Sequence, residues 1–575
     1  MNNLFLGIDL GTTNSKAASL DYRLSSVKPE IFHIKQLTNE TNVDGSVKSD
    51  PLAYLPSVLM FNEDGRQVTI GQFAQHNAIN FPDRSVRAIK RLMGKNWRYV
   101  VNGWDTLTPQ GISGLILRMI RKQAQEHLHD NLNDLDSVTI SVPASFGGRQ
   151  REATKQAARL AGFTKDIFLI DEPSAALIHY LHNNFGFNRD FEHEQRILVF
   201  DLGGGTLDVS LAHVIFDESQ LKVSILSRSR YTELAGTEFD TRLAAYLFLR
   251  MFPDEKNLNE NDKRKIYRSL LFDMAEPLKI GMSEFLDDHK QWGFNRKGDP
   301  FNFDIEDSSI GYEISPTKWQ LDLSLGELEL KKIMVPFQDF SKVLSPFFDY
   351  NEKPDKTGTI YAPIDDTLSE VGLAINDVDM VLLNGGMCLL PLIEIGLMSY
   401  FPENVRVIKT PNLLTSVAQG AALYHASRFG REINIEVEEP ALFESVYLEK
   451  KNKILDLIVD KKCKAYSSGT YPISFEQGAE KIRISLYHGF SENDPSVVHD
   501  RDLFILLDDN LQDINEVDLR WEVNHDRTVS FSYRVPKSDG GWKDLVEASR
   551  ARGGDWYPED LKQAEREKIR LAEFQ

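Results

Sequence analysis

Asp201-Leu202-Gly203-Gly204-Gly205-Thr206-Leu207-Asp208 sets a carboxylate at each end of a turn built on three consecutive glycines. Glycines let the backbone reach positive φ and let a ligand approach the main chain, so the amides of such a turn can converge on an anion. Carboxylates beside it suit a hard cation that takes oxygen ligands and keeps several waters. One glycine-rich turn also makes an ordinary hairpin. Here the pattern is written twice, because Asp9-Leu10-Gly11-Thr12-Thr13-Asn14-Ser15 repeats it near the N-terminus. The pair suggests two units facing one nucleotide, with Asp9 and Asp201 on opposite sides of a metal-bound phosphate chain.

The flanking residues say what holds these turns. Leu4 to Ile8 and Ile197 to Phe200 are apolar runs that read as buried strands, and each turn is followed by a returning strand. This is the signature of an internal duplication, and a spacing of about two hundred residues allows one lobe for each copy. Residues 112 to 130 and 149 to 162 have helical periodicity, the second ending at Gly162 as a C-cap would, and Val138 to Val142 reads as a strand between them. Strands alternating with helices mark an α/β lobe. Glu276, Lys279 and Ser283 fall at i, i+3 and i+7 and so share one helix face. Asp379 to Gly386 makes strand and turn again.

From Arg431 the character changes. Ile433, Ile435 and Val437 alternate with polar residues before Pro440, the pattern of an extended linker. Residues 442 to 540 then alternate as strands, the runs around Trp521 and Phe531 being joined by the hairpin turn Asn524-His525-Asp526-Arg527. Pro558 opens a charged helical pattern from Glu559 to Phe574.

Composition bounds the class. A chain of 575 residues exceeds what one core supports, so two or three domains are expected. A formal charge of −20 opposes nucleic-acid binding, which needs a basic surface. Cys388 and Cys463 are too few for a disulfide framework and fit a reducing compartment. Met1-Asn2-Asn3 runs straight into a strand without a secretion signal, and the apolar window Met380 to Met398 is interrupted by Asn384, Gly385, Gly386, Pro391 and Glu394, so no membrane span is expected. The expected setting is cytoplasmic.

In its two phosphate turns the chain resembles the seventy-kilodalton heat-shock (DnaK-type) chaperones of the actin-like ATPase superfamily. The resemblance extends to Ile170-Asp171-Glu172-Pro173-Ser174-Ala175-Ala176-Leu177, Ser141 to Phe146 with Arg151, Ala88 to Gly94, Leu234 to Asp240 and Leu382 to Pro391, in order across roughly residues 4 to 430. It implies an α/β actin-like two-lobed ATPase domain over 1–430, an interdomain linker over 431–441, an all-β sandwich of substrate-binding type over 442–540, and a short C-terminal helix as a truncated helical lid over 541–575. It implies ATP or ADP with Mg²⁺ as ligands, and K⁺ as a further candidate cation. Residue by residue, the phosphates fall to Gly11, Thr12, Thr13, Asn14, Gly203, Gly204, Gly205 and Thr206. The nucleoside falls to Gly236, Glu276, Lys279, Ser283, Gly385 and Gly386. Metal-bound water falls to Asp9, Asp201 and Asp208, and catalysis to Lys90, Asp201, Glu172 and Thr206. The implied function is a slowly hydrolysing, ATP-dependent chaperone that binds unfolded or specific client polypeptide, with a J-domain cochaperone as a candidate partner. A nucleotide-gated scaffold or sensor with little turnover is the alternative from another class, and a sugar kinase of the superfamily leaves the sandwich without a role. The family flanks its adenine with two arginines; at the matching positions this chain has Ile280 and Leu389.

Overall fold

The computed structural model describes residues 3–24, 28–41, 47–63, 65, 67–100, 106–127, 135–184, 194–217, 220–230, 234–253, 258–288, 311–316, 320–324, 326–349, 358–431, 433, 435–438, 441–442, 444–450, 453–475, 481–491, 497–506, 515–535, 542–544, 546–547 and 570–571. Two six-stranded sheets carry the two turns. In the first, Ile167–Asp171, Val138–Val142 and Leu4–Asp9 run parallel, and Leu4–Asp9 then pairs antiparallel with Asn14–Asp21, which pairs with Glu30–Ile31. The second repeats the plan: Arg406–Lys409, Met380–Asn384 and Glu194–Leu202 are parallel, followed by antiparallel Leu207–Asp217 and Gln220–Arg228. The duplication expected from the sequence is therefore a duplication of sheets. Its registers match at the turns, where Asp9 stands opposite Lys16 and Asp201 stands opposite Asp208.

The two sheets share a core. Phe5, Ala18 and Leu20 of the first and Ile197, Val199 and Ala212 of the second pack on the helices Glu172–Asn184 and Ser416–Arg428. Small residues let these helices approach the sheet and one another, and at Gly420 the approach is closest: a Cβ there would lie 1.8 Å from the carbonyl oxygen of Ala175. The helix expected over 112–130 runs over Pro109–His127, with 128–130 outside the described residues, and that over 149–162 spans Gly148–Ala161. Gly162 caps the latter in the left-handed conformation, φ 100°.

Within the expected linker, Ile435–Val437 forms a sixth strand, parallel to Leu221–Val223 at the edge of the second sheet. Ile433 and Ile435 are buried, and Asn434 and Pro440 lie outside the described residues. The alternation read as an extended linker thus includes a docked strand. Beyond it, a five-stranded and a four-stranded sheet enclose a core of Val446, Ile484, Leu486, Ile505, Val517 and Leu519. Their strands include Lys543–Asp544 and Val546–Glu547, so strand pairing continues past 540 into residues assigned to the lid. The expected helix Glu559 to Phe574 lies outside the described residues except at Arg570–Leu571. Those two pair as a strand with Gln67–Val68 instead of lying in a helix, since an exposed sheet edge offers unpaired backbone groups.

Replacing Gly420 by Ala tests the helix packing. In a helix interior this change ordinarily stabilises by roughly 0.5–1 kcal/mol. With the Ala175 carbonyl in the way, overpacking reverses the sign, at a cost of about 1–3 kcal/mol. The urea midpoint should fall; an unchanged or raised midpoint contradicts the packing described.

Candidate functional site

The two turns meet face to face across the cleft between the sheets. A Cβ on Gly204 would fall 2.1 Å from Thr13 Oγ1, and one on Gly205 would fall 2.2 Å from Thr12 Oγ1. The threonines of one copy thus occupy the space that glycine leaves in the other. The second turn is braced from behind, where the amides of Gly236 and Thr237 donate to the carbonyls of Gly203 and Gly204, both at 3.1 Å. Gly385, at φ 83°, passes so close to the chain that a Cβ would lie 2.3 Å from Leu202 O.

Four carboxyl groups and two ammoniums share the floor, with Lys16 Nζ 3.9 Å from Asp9 Oδ2. Lys90 lies on a 3₁₀ turn, Ile89–Leu92, entered through Ala88 in the left-handed conformation (φ 52°), and its ammonium forms a buried ion pair with Glu172 at the start of the helix Glu172–Asn184. Asp9 accepts from Ser141 Oγ at 3.3 Å, Asp208 accepts from Ser145 Oγ at 2.8 Å, and Asp201 accepts from Asn384 Nδ2 at 2.9 Å. Asn384 is oriented in turn by Ser416, whose hydroxyl donates to Asn384 Oδ1 at 2.6 Å. Asp208 Oδ2 is buried with no hydrogen-bond partner among the described residues. No group of three acids, histidines or cysteines among the described residues is arranged to ligate a metal directly. An orphaned carboxylate oxygen in an acidic cleft fits a hydrated divalent cation, held through its waters.

The electrostatics follow from burial. Desolvation raises Glu172 to about 8 against the pull of Lys90, and raises Asp201 to about 7 against the hydrogen bond from Asn384. Burial raises Asp208 as well. Burial would depress Lys90, but Glu172, Asp9 and Asp208 together hold it above its ordinary value.

The residues assigned to the nucleoside are gathered at the cleft but engaged with the chain. Lys279 pairs with Asp240 at 2.7 Å, and Ser283 Oγ donates to Leu389 O at 2.9 Å. Glu276 interacts electrostatically with Arg87 and Asp240. All three lie on the helix Glu276–Asp288, which follows a π-helical turn over Leu270–Ala275. Ile280, Leu389 and Leu414 are exposed, and Leu414 borders Gly386, so the mouth carries aliphatic side chains. Sequence reasoning missed Asn384 and Ser416 as the support of Asp201. The available signal was a polar residue at the end of a buried strand parallel to the one that ends in Asp201. It also missed Arg91, which ties Gly205 O at 3.0 Å to Glu238 at 3.1 Å.

A folded-state carboxyl pKa near 7 means that the folded chain keeps a proton the unfolded chain has released above about pH 4. Asp201 therefore costs no stability below pH 4, and its penalty grows as pH rises through 7. Asp201→Asn removes that penalty. Relative to the unmodified chain, the nucleotide-free variant should gain stability between pH 5 and 7, by up to about 1.4 kcal/mol per pH unit. Denaturant unfolding at several pH values reads this; a difference that shrinks as pH rises contradicts the burial argument.

Comparison with known proteins agrees with this geometry. The Hsp70 protein family profile matches residues 5–292. The chaperone protein DnaK of Endomicrobium trichonymphae is 35% identical over 286 residues, 49% of this chain and 40% of that protein. DnaK of Thermosipho melanesiensis is 29% identical over 429 residues, 74% of this chain and 60% of that protein. DnaK of Thermotoga neapolitana is 26% identical over 495 residues, 84% and 70% respectively. The chain thus spans 40% and 60% of the first two of these relatives. With half of its length matched by the family profile and a paired-sheet cleft bearing both glycine–threonine turns, the chain belongs to the Hsp70 family.

Proposed function

We propose that this protein is an ATP-hydrolysing chaperone that couples Mg–ATP turnover in the cleft to polypeptide binding by the β-sandwich. The observation that carries the reading is the convergence of two glycine–threonine turns on a floor holding Lys90, Glu172, Asp9, Asp201 and Asp208. Phosphoryl transfer to water is chiefly a matter of positioning and charge stabilisation. The amides of Thr12, Thr13, Gly204 and Gly205 and the hydroxyls of Thr12 and Thr13 hold the phosphate oxygens, while the Gly203 amide, donating to Thr206 O at 3.0 Å, closes the turn. Mg²⁺, when bound with nucleotide, neutralises charge on those oxygens, and Asp9, Asp201 and Asp208 are the residues that would hold its waters. Lys90 directs positive charge to the γ-phosphate and the attacking water, with Glu172 fixing the ammonium. Asp201, raised toward neutrality by burial, is suited to accept the proton of that water. The polypeptide partner is unfolded or specific client chain.

Two measurements test this. Lys90→Ala should leave ADP binding in place and slow single-turnover hydrolysis by about 10²- to 10³-fold, as for other deletions of a preorganised charge. Turnover at the unmodified rate shows that Lys90 has another role, and absence of hydrolysis in the unmodified chain overturns the ATPase reading. The second concerns the base. Ile280 and Leu389 can cover a ring by burial but cannot stack a charge on it, a difference of about 0.5–2 kcal/mol per contact. ADP affinity should accordingly be nearer micromolar than nanomolar, with guanine discriminated by no more than about tenfold, or about 1.4 kcal/mol. Calorimetric titration with ADP and GDP that gives nanomolar binding and strong rejection of GDP contradicts the aliphatic base site.

A further inference from the structure

The hairpin turn Asn524 to Arg527 reaches out of the sandwich and seats against the first sheet. Asp526 pairs with Lys155, the His525 ring lies edge-on to Phe168 at 5.2 Å, and Arg527 pairs with Asp171 at the end of the strand Ile167–Asp171. Arg527 adopts φ 63°, a conformation that glycine or asparagine takes more readily, so the turn carries strain to place this side chain.

Asp171 serves two further arginines. Arg151 Nη2 donates to the same carboxylate oxygen that Arg527 engages, and Arg228 Nε lies 3.0 Å from the other. Arg151 and Arg527 are 1% and 4% exposed, so their charges are removed from water. Burial depresses the Arg228 guanidinium against the pull of Asp171. The remaining acids nearby have lysines of their own: Asp526 has Lys155, Glu438 has Lys464 at 3.5 Å, and Glu370 has Lys461 at 2.9 Å. Glu444 lines a small cavity with Arg151 and Arg527. Counting Glu444 with Asp171 as two negative charges against three guanidiniums leaves one positive charge over. Arg527 Nη1 and both Nε and Nη2 of Arg228 are buried donors without hydrogen-bond partners among the described residues; His525 Nε2 and, on the Lys155 side, the acceptor Asp526 Oδ2 likewise have none there. Beside Arg527 is a cavity of about 30 Å³ whose polar lining is Arg151, Asp171, Ser174, Glu438, His525, Asp526 and Arg527, Glu438 and Asp526 being the acids already paired with lysines. That is room for one or two particles of about the size of a water molecule.

We propose that this junction is a binding site for one small monovalent inorganic anion of the chloride type, held by Arg527 with Arg151 while Arg228 adds positive charge from the far side of Asp171, and that the anion stabilises the seated hairpin. An uncompensated buried charge costs several kcal/mol, whereas a water molecule satisfies a donor without cancelling the charge. A monatomic anion does both and fits the volume. Bulky organic anions such as gluconate do not fit.

Hydrogen exchange of the full chain, with and without Mg–ATP, in sodium chloride against sodium gluconate at equal ionic strength, tests this without any variant. Chloride should slow exchange across residues 524–529 saturably in at least one nucleotide condition, by about tenfold when its concentration is ten times its dissociation constant. Amides of the buried strand Val138–Val142 should be unaffected. Arg527→Gln should abolish the difference between salts, and Arg228→Gln should weaken it. Bromide at the same concentration should act as chloride does, and crystals soaked in it should give an anomalous peak beside Arg527. Equal exchange in the two salts, a chloride effect retained in Arg527→Gln, or water alone at the site overturns the proposal.

Discussion

Four carboxyl groups brought together out of water repel one another, and in this protein two lysines, Lys90 and Lys16, stand among them. That imbalance governs the rest of the cleft. Burial pushes Glu172 and Asp201 upward, Glu172 is held by Lys90, and the three aspartates are each anchored by a neutral donor from a different segment: Ser141, Ser145 or Asn384. Such a site favours a ligand that brings positive charge in with it and places anions against the turn amides. The duplicated sheets deliver one half of the arrangement each, and the shared helices Glu172–Asn184 and Ser416–Arg428 hold the halves at contact distance.

The close packing that makes this possible is concentrated at small residues. Gly204 and Gly205 admit the threonines of the opposite turn, Gly420 admits the helix Glu172–Asn184, and Gly7 admits Ala422, whose nitrogen a Cβ would approach to 2.2 Å. Interiors at this density do not deform continuously. Glu172 and Asp171 sit at the junction of strand and helix, and Asp171 faces the sandwich. One dipeptide thereby faces two environments, with Glu172 toward Lys90 in the cleft and Asp171 toward Arg527 on the other side.

Much of the site was legible because its signals are local. The paired Asp–Leu–Gly turns, the returning strands, the cap at Gly162 and the hairpin at 524–527 each depend on a few consecutive residues whose backbone demands are strong. The unread parts depend on distant pairing. Nothing near Asn384 announces that it will stand beside Asp201 in a parallel register, nor that Ser416 will orient it. The residues from Ile433 to Val437 alternate as either a tether or an edge strand would, and the partner strand that decides lies two hundred residues away. Arg527 reads as an ordinary turn residue until Asp171 is seen opposite it.

We propose that the cleft takes a divalent cation through its water shell and a phosphate chain rather than through a cage of carboxylates. Electron paramagnetic resonance of Mn²⁺ bound with ADP, in water enriched in oxygen-17, measures this directly. The account predicts one ion per chain, bound tightly when nucleotide is present, with most of its coordination sites filled by water and nucleotide phosphate oxygen. An ion that binds equally well without nucleotide, or whose waters are replaced by carboxylate oxygens, would contradict it.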